Sequence, residues 1–208
     1  MDTSGAAVAG DSRVAKLLEQ RVLDTSAGQA RHRMSRSYTM TGVRGPADRA
    51  VQLARSYLQF QDATGRVHDV QDDPRFQQRG VDLLWERGHS PVLGVEVKGD
   101  RQANRGNYFF ELISNLERES PGCFLYSSAD LLLYVFLSPR ELHHLPMNAT
   151  REWFLARAQS FELRSTRTRV GQSSYTTVGA LVPIKDVLAQ VPGASRFRVG
   201  VEGQIRAM

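Results

Sequence analysis

The sequence has little cysteine, little lysine and no long apolar run. Cys123 is the only cysteine among 208 residues, which excludes an internal disulfide and any metal site built from several cysteines. No stretch approaches the roughly 18 apolar residues of a membrane span, and the first residues lack the basic and apolar regions of a secretion signal. These absences predict a soluble, cytoplasmic protein without a membrane partner.

The charge balance favours a polyanionic partner. The chain carries 27 basic and 22 acidic residues, a formal net charge of +5, which suits nucleic acid but also occurs in proteins with an ordinary solvated surface. The only lysines are Lys16, Lys98 and Lys185, and all other basic residues are arginines. Lysine at position 98 is therefore informative, because arginine can neither act as a compact charge nor give up its proton.

The length allows one well-buried domain and one extra segment. Residues 1–45 are rich in Gly, Ala, Ser, Thr and Arg and predict a flexible arm with one helix at residues 14–23. We place the domain at residues 46–208, opening on a helix that starts at Pro46. Its apolar stripe is formed by Ala50, Leu53, Ala54, Tyr57 and Leu58.

The remaining pattern predicts an α/β fold in which helices flank one mixed central sheet. Strands are expected at residues 81–86, 92–98, 107–113, 130–138, 141–145 and 176–184, and helices at residues 148–160 and 185–190. The nearly unbroken apolar run at residues 131–137 is typical of a strand that is covered on both faces.

Three charged residues lie in the first two of these strands. Glu96 and Lys98 project from the same strand face, and Val97 points to the other. Asp82 joins them only if the register places it opposite Glu96, which requires an odd hairpin loop centred on residue 89.

Two carboxylates that converge at a sheet end repel each other unless a cation lies between them. Their oxygen ligands suit Mg²⁺ or Mn²⁺, and a neighbouring lysine can orient a water or stabilise charge on a phosphate. Phosphodiester hydrolysis needs these groups and no covalent nucleophile from the protein. The alternative is that Asp82, Glu96 and Lys98 are edge charges or a structural ion pair on an ordinary hairpin.

The ordered set formed by residues 80–82, 96–98, 106–111, 121–135 and 181–184 resembles the PD-(D/E)XK nuclease superfamily, which has the restriction-endonuclease-like fold. It is similar to compact bacterial and phage members grouped with Holliday-junction resolvase-like endonucleases, over residues 46–190. The resemblance implies a metal-dependent DNA endonuclease in which Asp82 and Glu96 bind the ion and Lys98 assists the attacking water. The backbone carbonyl of Val97 is the expected third ligand.

Two positions depart from the family pattern. Val81 replaces the nominal proline. Many members carry a glutamate in the first helix, whereas this helix offers only Asp48, Gln52 and Gln59. The number of metal ions, one or two, is therefore left open.

Further residues are candidates for supporting the site or binding DNA. Glu111 is either functional or a buried hydrogen-bonded group, and Asn107 is a candidate support. The basic loop after residue 100 offers Arg101 and Arg105 for phosphate contacts. The densest basic stretch contains Arg151, Arg157, Arg164, Arg167 and Arg169, which either line a nucleic-acid groove or form a solvated helix face followed by a loop.

Two expectations concern partners and packing. A homodimer joined through residues 14–23 would bring two sites to the two strands of a duplex. His143 and His144 are expected on opposite faces of a strand, in packing or surface roles.

No separate sequence-reading module is recognisable, so we expect structure-directed or weakly sequence-specific cleavage. The alternative function is a nucleic-acid-binding or assembly protein that keeps the nuclease fold with little or no cleavage.

Overall fold

The computed structural model describes residues 37–88, 90–101, 106–200 and 204–208. The elements in chain order are β1 (Ser37–Thr39), α1 (Met40–Gln61), β2 (Arg66–Asp69), α2 (Pro74–Gln77), β3 (Leu83–Arg87), β4 (Ser90–Asp100), β5 (Asn107–Asn115), β6 (Ser120–Pro121), α3 (Cys123–Tyr126), β7 (Leu131–Phe136), β8 (Glu141–Pro146), α4 (Met147–Leu155), β9 (Glu162–Val170), β10 (Ser173–Pro183), α5 (Ile184–Gln190), β11 (Ser195–Val199) and β12 (Ile205–Ala207).

These strands form two sheets. A seven-stranded sheet has the order β12-β11-β8-β7-β4-β3-β2, and a five-stranded sheet has the order β1-β9-β10-β5-β6. In the seven-stranded sheet β4 and β7 run parallel while β3 and β4 run antiparallel, so the predicted mixed sheet flanked by helices is confirmed. The predicted strand at residues 107–113 is also present, but it is β5 of the second sheet, which the sequence did not indicate.

The two faces of β7 divide the apolar core into two clusters. Leu131, Leu133 and Val135 face α1, whereas Leu132 and Tyr134 face the five-stranded sheet and helices α3 to α5. All six residues of β7 are buried, as the apolar run predicted. This strand therefore forms the middle layer of the molecule.

Helix α1 packs directly on β4. The predicted apolar stripe is confirmed, since Ala50, Ala54, Tyr57 and Leu58 are all buried. A Cβ atom at Gly99 would lie 2.9 Å from the Cβ of Ala50, so the close approach of helix and strand requires glycine there.

Several predicted boundaries need correction. Helix α1 begins at Met40 and carries Pro46 in its interior, where the sequence indicated a helix start. A proline in the second turn removes one backbone hydrogen bond, and the remaining length and the packing of α1 outweigh that loss. Residues 162–170 form strand β9 rather than a solvated helix face and loop. Strands β2, β11 and β12 were not predicted; each is short, and none is uniformly apolar.

The hairpin between β3 and β4 has the predicted register but not the predicted loop. Arg87 pairs with Ser90, so only residues 88 and 89 lie between them and the loop is even. A register shift between Trp85 and Arg87 places an extra residue on β4, and Leu83 therefore pairs with Val95. The bulge restores the alignment that an odd loop would have given.

Two further expectations can be compared with the structure. His143 contacts Tyr108 and His144 contacts Tyr57, from opposite faces of β8, as expected of neighbouring strand residues. Within the part of the chain that the structure describes, no helix is long and apolar enough to cross a membrane. The predicted helix at residues 14–23 lies outside the described residues, and the homodimer contact assigned to it stays a prediction.

Candidate functional site

Asp82 lies directly before β3, at the end of a turn that is tied to the rest of the fold. Gly80 has φ of +60°, and a Cβ atom there would lie 3.0 Å from Cβ of Ser127. The Ser127 hydroxyl donates to the Gly80 carbonyl at 2.6 Å. The Asp82 backbone N–H then donates to the Val95 carbonyl at 2.9 Å, and the Val97 N–H donates to Asp82 Oδ2 at 2.8 Å. The carboxylate is thereby held against the backbone of β4.

Glu96 is opposite Asp82 and is almost fully buried, with 8% of its surface exposed. Burial raises the pKa of Glu96 to about 8, and the neighbouring negative charge of Asp82 adds to this effect. Burial also raises the pKa of Asp82, against the opposing effects of the Val97 N–H and the Lys98 charge. Two desolvated carboxyl groups therefore lie close enough for the charge of one to raise the pKa of the other, an arrangement that the sequence made conditional on the hairpin register.

Lys98 forms an ion pair with Glu111. Its Nζ donates to Glu111 Oε2 at 2.9 Å, with side-chain exposures of 30% and 15%. Burial alone would lower the pKa of Lys98, but the charge and hydrogen bond of Glu111, together with smaller contributions from Cys123 and Tyr134, hold that pKa well above its usual value. Lys98 is therefore protonated, and strand β5 of the second sheet supplies its counter-charge.

Helix α3 brings two residues to the site that sequence reasoning missed. Cys123 lies beside Glu96 and Lys98: burial raises the pKa of its thiol, and the charges of both residues act on it. Tyr126 follows one turn later, with 43% of its surface exposed; partial burial, followed by the nearby acidic groups of the site, raises the pKa of its hydroxyl. A four-residue helix has no periodic signal, so the sequence offered no sign of this placement.

The donor set can be compared with the needs of a divalent cation. Among the described residues, no group of three or more His, Cys, Asp or Glu side chains is arranged to hold a metal ion. Asp82 and Glu96 are a pair of residues of these types, and the predicted third ligand, the carbonyl of Val97, belongs to a residue that contacts Asp82. A cation between the carboxylates would favour the ionised form of Glu96 against the burial and the Asp82 charge that raise its pKa. The pair is compatible with an incomplete, all-oxygen shell completed by water and substrate.

The other predicted site residues are more dispersed. Asn107 begins β5 and pairs in register with Pro183. Arg101 is exposed directly after β4, whereas Arg105 lies outside the described residues. Arg164, Arg167 and Arg169 are exposed on β9. DNA contacts by these arginines stay predictions.

Arg151 and Arg157 make contacts within the protein. Arg151 Nε donates to the Phe124 carbonyl at 3.1 Å and its Nη2 donates to the Ser127 carbonyl at 2.8 Å. Arg157 is exposed and its guanidinium lies 5.0 Å from the centre of the Trp153 ring. Arg151 therefore fixes helix α3 to α4, whatever its relation to DNA.

We predict that Arg151→Ala lowers the free energy of unfolding by about 2 kcal/mol, because the buried carbonyls of Phe124 and Ser127 lose their donor. Urea denaturation measures this loss, with Arg157→Ala as the exposed control, which is expected to cost less than about 1 kcal/mol. Equal, small losses in both variants would contradict a structural role for Arg151.

No protein-family model, curated protein or solved structure matched this chain. The geometry of Asp82, Glu96, Lys98 and Glu111 therefore carries the functional argument by itself.

Proposed function

We propose that this protein is a metal-dependent DNA endonuclease with a restriction-endonuclease-like core. The observation that carries the proposal is the pairing of two desolvated carboxyl groups, Asp82 and Glu96, beside the ammonium group of Lys98. Burying two acids side by side is costly in the absence of a compensating positive charge. Such an arrangement is typical of a functional site, here one that binds a cation and uses it in catalysis.

The residues have distinct roles in this proposal. Asp82, Glu96 and the Val97 carbonyl would hold Mg²⁺ or Mn²⁺, and the bound ion would supply polarisation of a phosphate oxygen and activation of water. Lys98 stays protonated because of Glu111, so it donates hydrogen bonds to the phosphate or to the attacking water and does not remove a proton. Glu111 acts through Lys98 by fixing the position of its ammonium group.

A nicking assay with supercoiled plasmid tests the proposal. We expect nicking with Mg²⁺ or Mn²⁺ and none with Ca²⁺ or a chelator, since Ca²⁺ binds oxygen ligands with looser geometry. Asp82→Asn and Glu96→Gln should lose both nicking and Mn²⁺ binding measured by calorimetry, because each replaces a charged ligand with a neutral amide of similar shape.

Matched controls are available on the surface. Asp72 and Glu152 are exposed, and Asp72→Asn and Glu152→Gln should nick like the wild type. Full nicking by the Asp82 and Glu96 variants would show that the active site has been misplaced. A panel of linear, nicked, flapped and four-way DNA, with RNA for comparison, then identifies the substrate; strict dependence on one palindromic sequence would contradict structure-directed cleavage.

A second candidate is a nucleic-acid-binding or assembly protein that keeps this fold without cleavage. Two observations favour it: Glu111 already neutralises Lys98, and the described residues contain no group of three metal-ligating side chains. DNA binding that persists while no divalent ion supports nicking would select this candidate.

A further inference from the structure

Tyr126 is an exposed aromatic residue at the edge of the carboxylate pair. Its side chain is 43% exposed, which is unusual for a large side chain among the described residues. Residues on both sides of it in the chain contact the site. Three residues earlier, Cys123 lies close enough to Glu96 for the two groups to interact electrostatically. One residue later, the Ser127 hydroxyl donates to the carbonyl of Gly80, two residues before Asp82. Tyr126 therefore lies between the segments that carry the two carboxylates.

The backbone around Tyr126 is held rigidly. Gly122 N–H donates to the Leu112 carbonyl at 2.8 Å, before the helix. Arg151 donates to the carbonyls of Phe124 and Ser127, on either side of Tyr126. An exposed ring on a fixed backbone presents a flat apolar surface at low entropic cost to a ligand.

A positive charge is tied to the chain two residues beyond Tyr126. Ser128 N–H donates to the Arg79 carbonyl at 2.8 Å, and Arg79 Nε donates to the Ser128 hydroxyl at 3.1 Å. The guanidinium of Arg79 also lies 6.0 Å from the centre of the Phe76 ring. Tyr126 and Arg79 are both exposed and are tied to the same short segment. Together they offer the two features that bind single-stranded nucleic acid, a stacking surface and a cation for the backbone.

We propose that Tyr126 stacks on an unpaired nucleobase next to the phosphate at the site, while Arg79 contacts the nucleic-acid backbone. This inference rests on the proposed function for its ligand and extends it by naming the substrate class: DNA with unstacked bases at the cut, as in flaps, gaps and junctions. Bases within an intact duplex are already stacked on their neighbours and do not offer a free face to Tyr126.

Binding measured by fluorescence anisotropy in Ca²⁺, without cleavage, tests the inference. The probes are an oligothymidylate single strand, a gapped duplex and a blunt duplex of the same length. Tyr126→Leu should weaken binding to the first two roughly tenfold, the effect of losing one stacked base, and change blunt-duplex affinity less than about twofold. Tyr126→Phe should bind like the wild type because it retains the ring.

Two control variants separate stacking from general effects. Phe60 is 59% exposed at the end of α1, and Phe60→Leu should alter none of the affinities. Arg79→Gln should weaken binding to all three probes by the same factor and reduce the salt dependence of binding, as expected for a phosphate contact.

Three results overturn the stacking inference: unchanged affinities in Tyr126→Leu, equal losses on all three probes, or the same loss in Tyr126→Phe. If the wild type nicks plasmid in Mg²⁺ and one of these results is obtained, stacking fails while the proposed nuclease function stands. If nicking is absent and the selective loss is observed, the nuclease function fails while stacking stands.

Discussion

Lys98→Ala is expected to reduce the rate of DNA nicking roughly 10²–10³-fold, the usual cost of removing one donor that stabilises developing charge. Mn²⁺ affinity should change little, because the ammonium is not a ligand. Single-turnover nicking and calorimetric titration measure the two quantities separately. Lys185→Ala is the matched control, since Lys185 is the other lysine within the described residues and is exposed on α5.

The loss of Lys98 also leaves Glu111 without its partner, and this effect has to be separated from catalysis. The double variant Lys98→Ala/Glu111→Gln removes the unpaired charge and should recover stability, as a double-mutant cycle with each single variant measures. We expect nicking to remain as low as in Lys98→Ala. Recovery of nicking in the double variant would show that Lys98 is only a structural counter-charge to Glu111.

The second large effect is a fall in the free energy of unfolding as the pH rises toward 8 in the absence of divalent ions. The pKa of Glu96 is raised from 4.5 to about 8, so between these values the folded protein keeps a proton that the unfolded chain has released. Stability then decreases with pH, on the order of 4 kcal/mol over the whole interval at about 1.4 kcal/mol per pH unit.

Histidines with lowered pKa values act in the opposite direction over the lower part of this range. Burial lowers the pKa of His143 and His144 from 6.5 to about 4, so each makes stability rise with pH between those values. The slope due to Glu96 is therefore best measured between pH 6.5 and 8, where it amounts to roughly 2 kcal/mol.

Urea denaturation in a chelating buffer at several pH values in this range provides the measurement. Glu96→Gln should abolish the slope, and Glu152→Gln, the exposed control, should retain it. Added Mn²⁺ should stabilise the wild type more at pH 8 than at pH 6.5, because binding requires the ionised carboxylate. A slope that is the same in Glu96→Gln and the wild type would contradict the assignment to Glu96.

Local sequence pattern predicted one half of the carboxylate pair and made the other half conditional on the hairpin register. Alternation placed Glu96 and Lys98 on one face, and the apolar run identified β7 as a buried strand. The loop length was wrong while the register was right, since a bulge in β4 compensated for the even loop. Burial of one face of β3 and β4 constrains the register more strongly than the loop does.

The remaining half of the site depends on tertiary contacts that no local pattern encodes. Glu111 meets Lys98 because β5 belongs to a second sheet, and the sequence alone does not distinguish one sheet from two. Cys123 and Tyr126 reach the carboxylates through a helix of four residues. The sequence did not predict the structural role of Arg151, because its partners are backbone carbonyls and every residue type carries one.

The parallel pairing of β4 with β7 has a consequence for how this site can diversify. Parallel neighbours cannot be joined by a tight turn, so the chain must leave the sheet after β4 and return before β7. That excursion builds β5, β6 and α3, which supply Glu111, Cys123 and Tyr126. The residues around the carboxylate pair therefore come from a chain segment distinct from the hairpin that carries the pair, and the two segments are joined by the Lys98–Glu111 ion pair and the Ser127–Gly80 hydrogen bond.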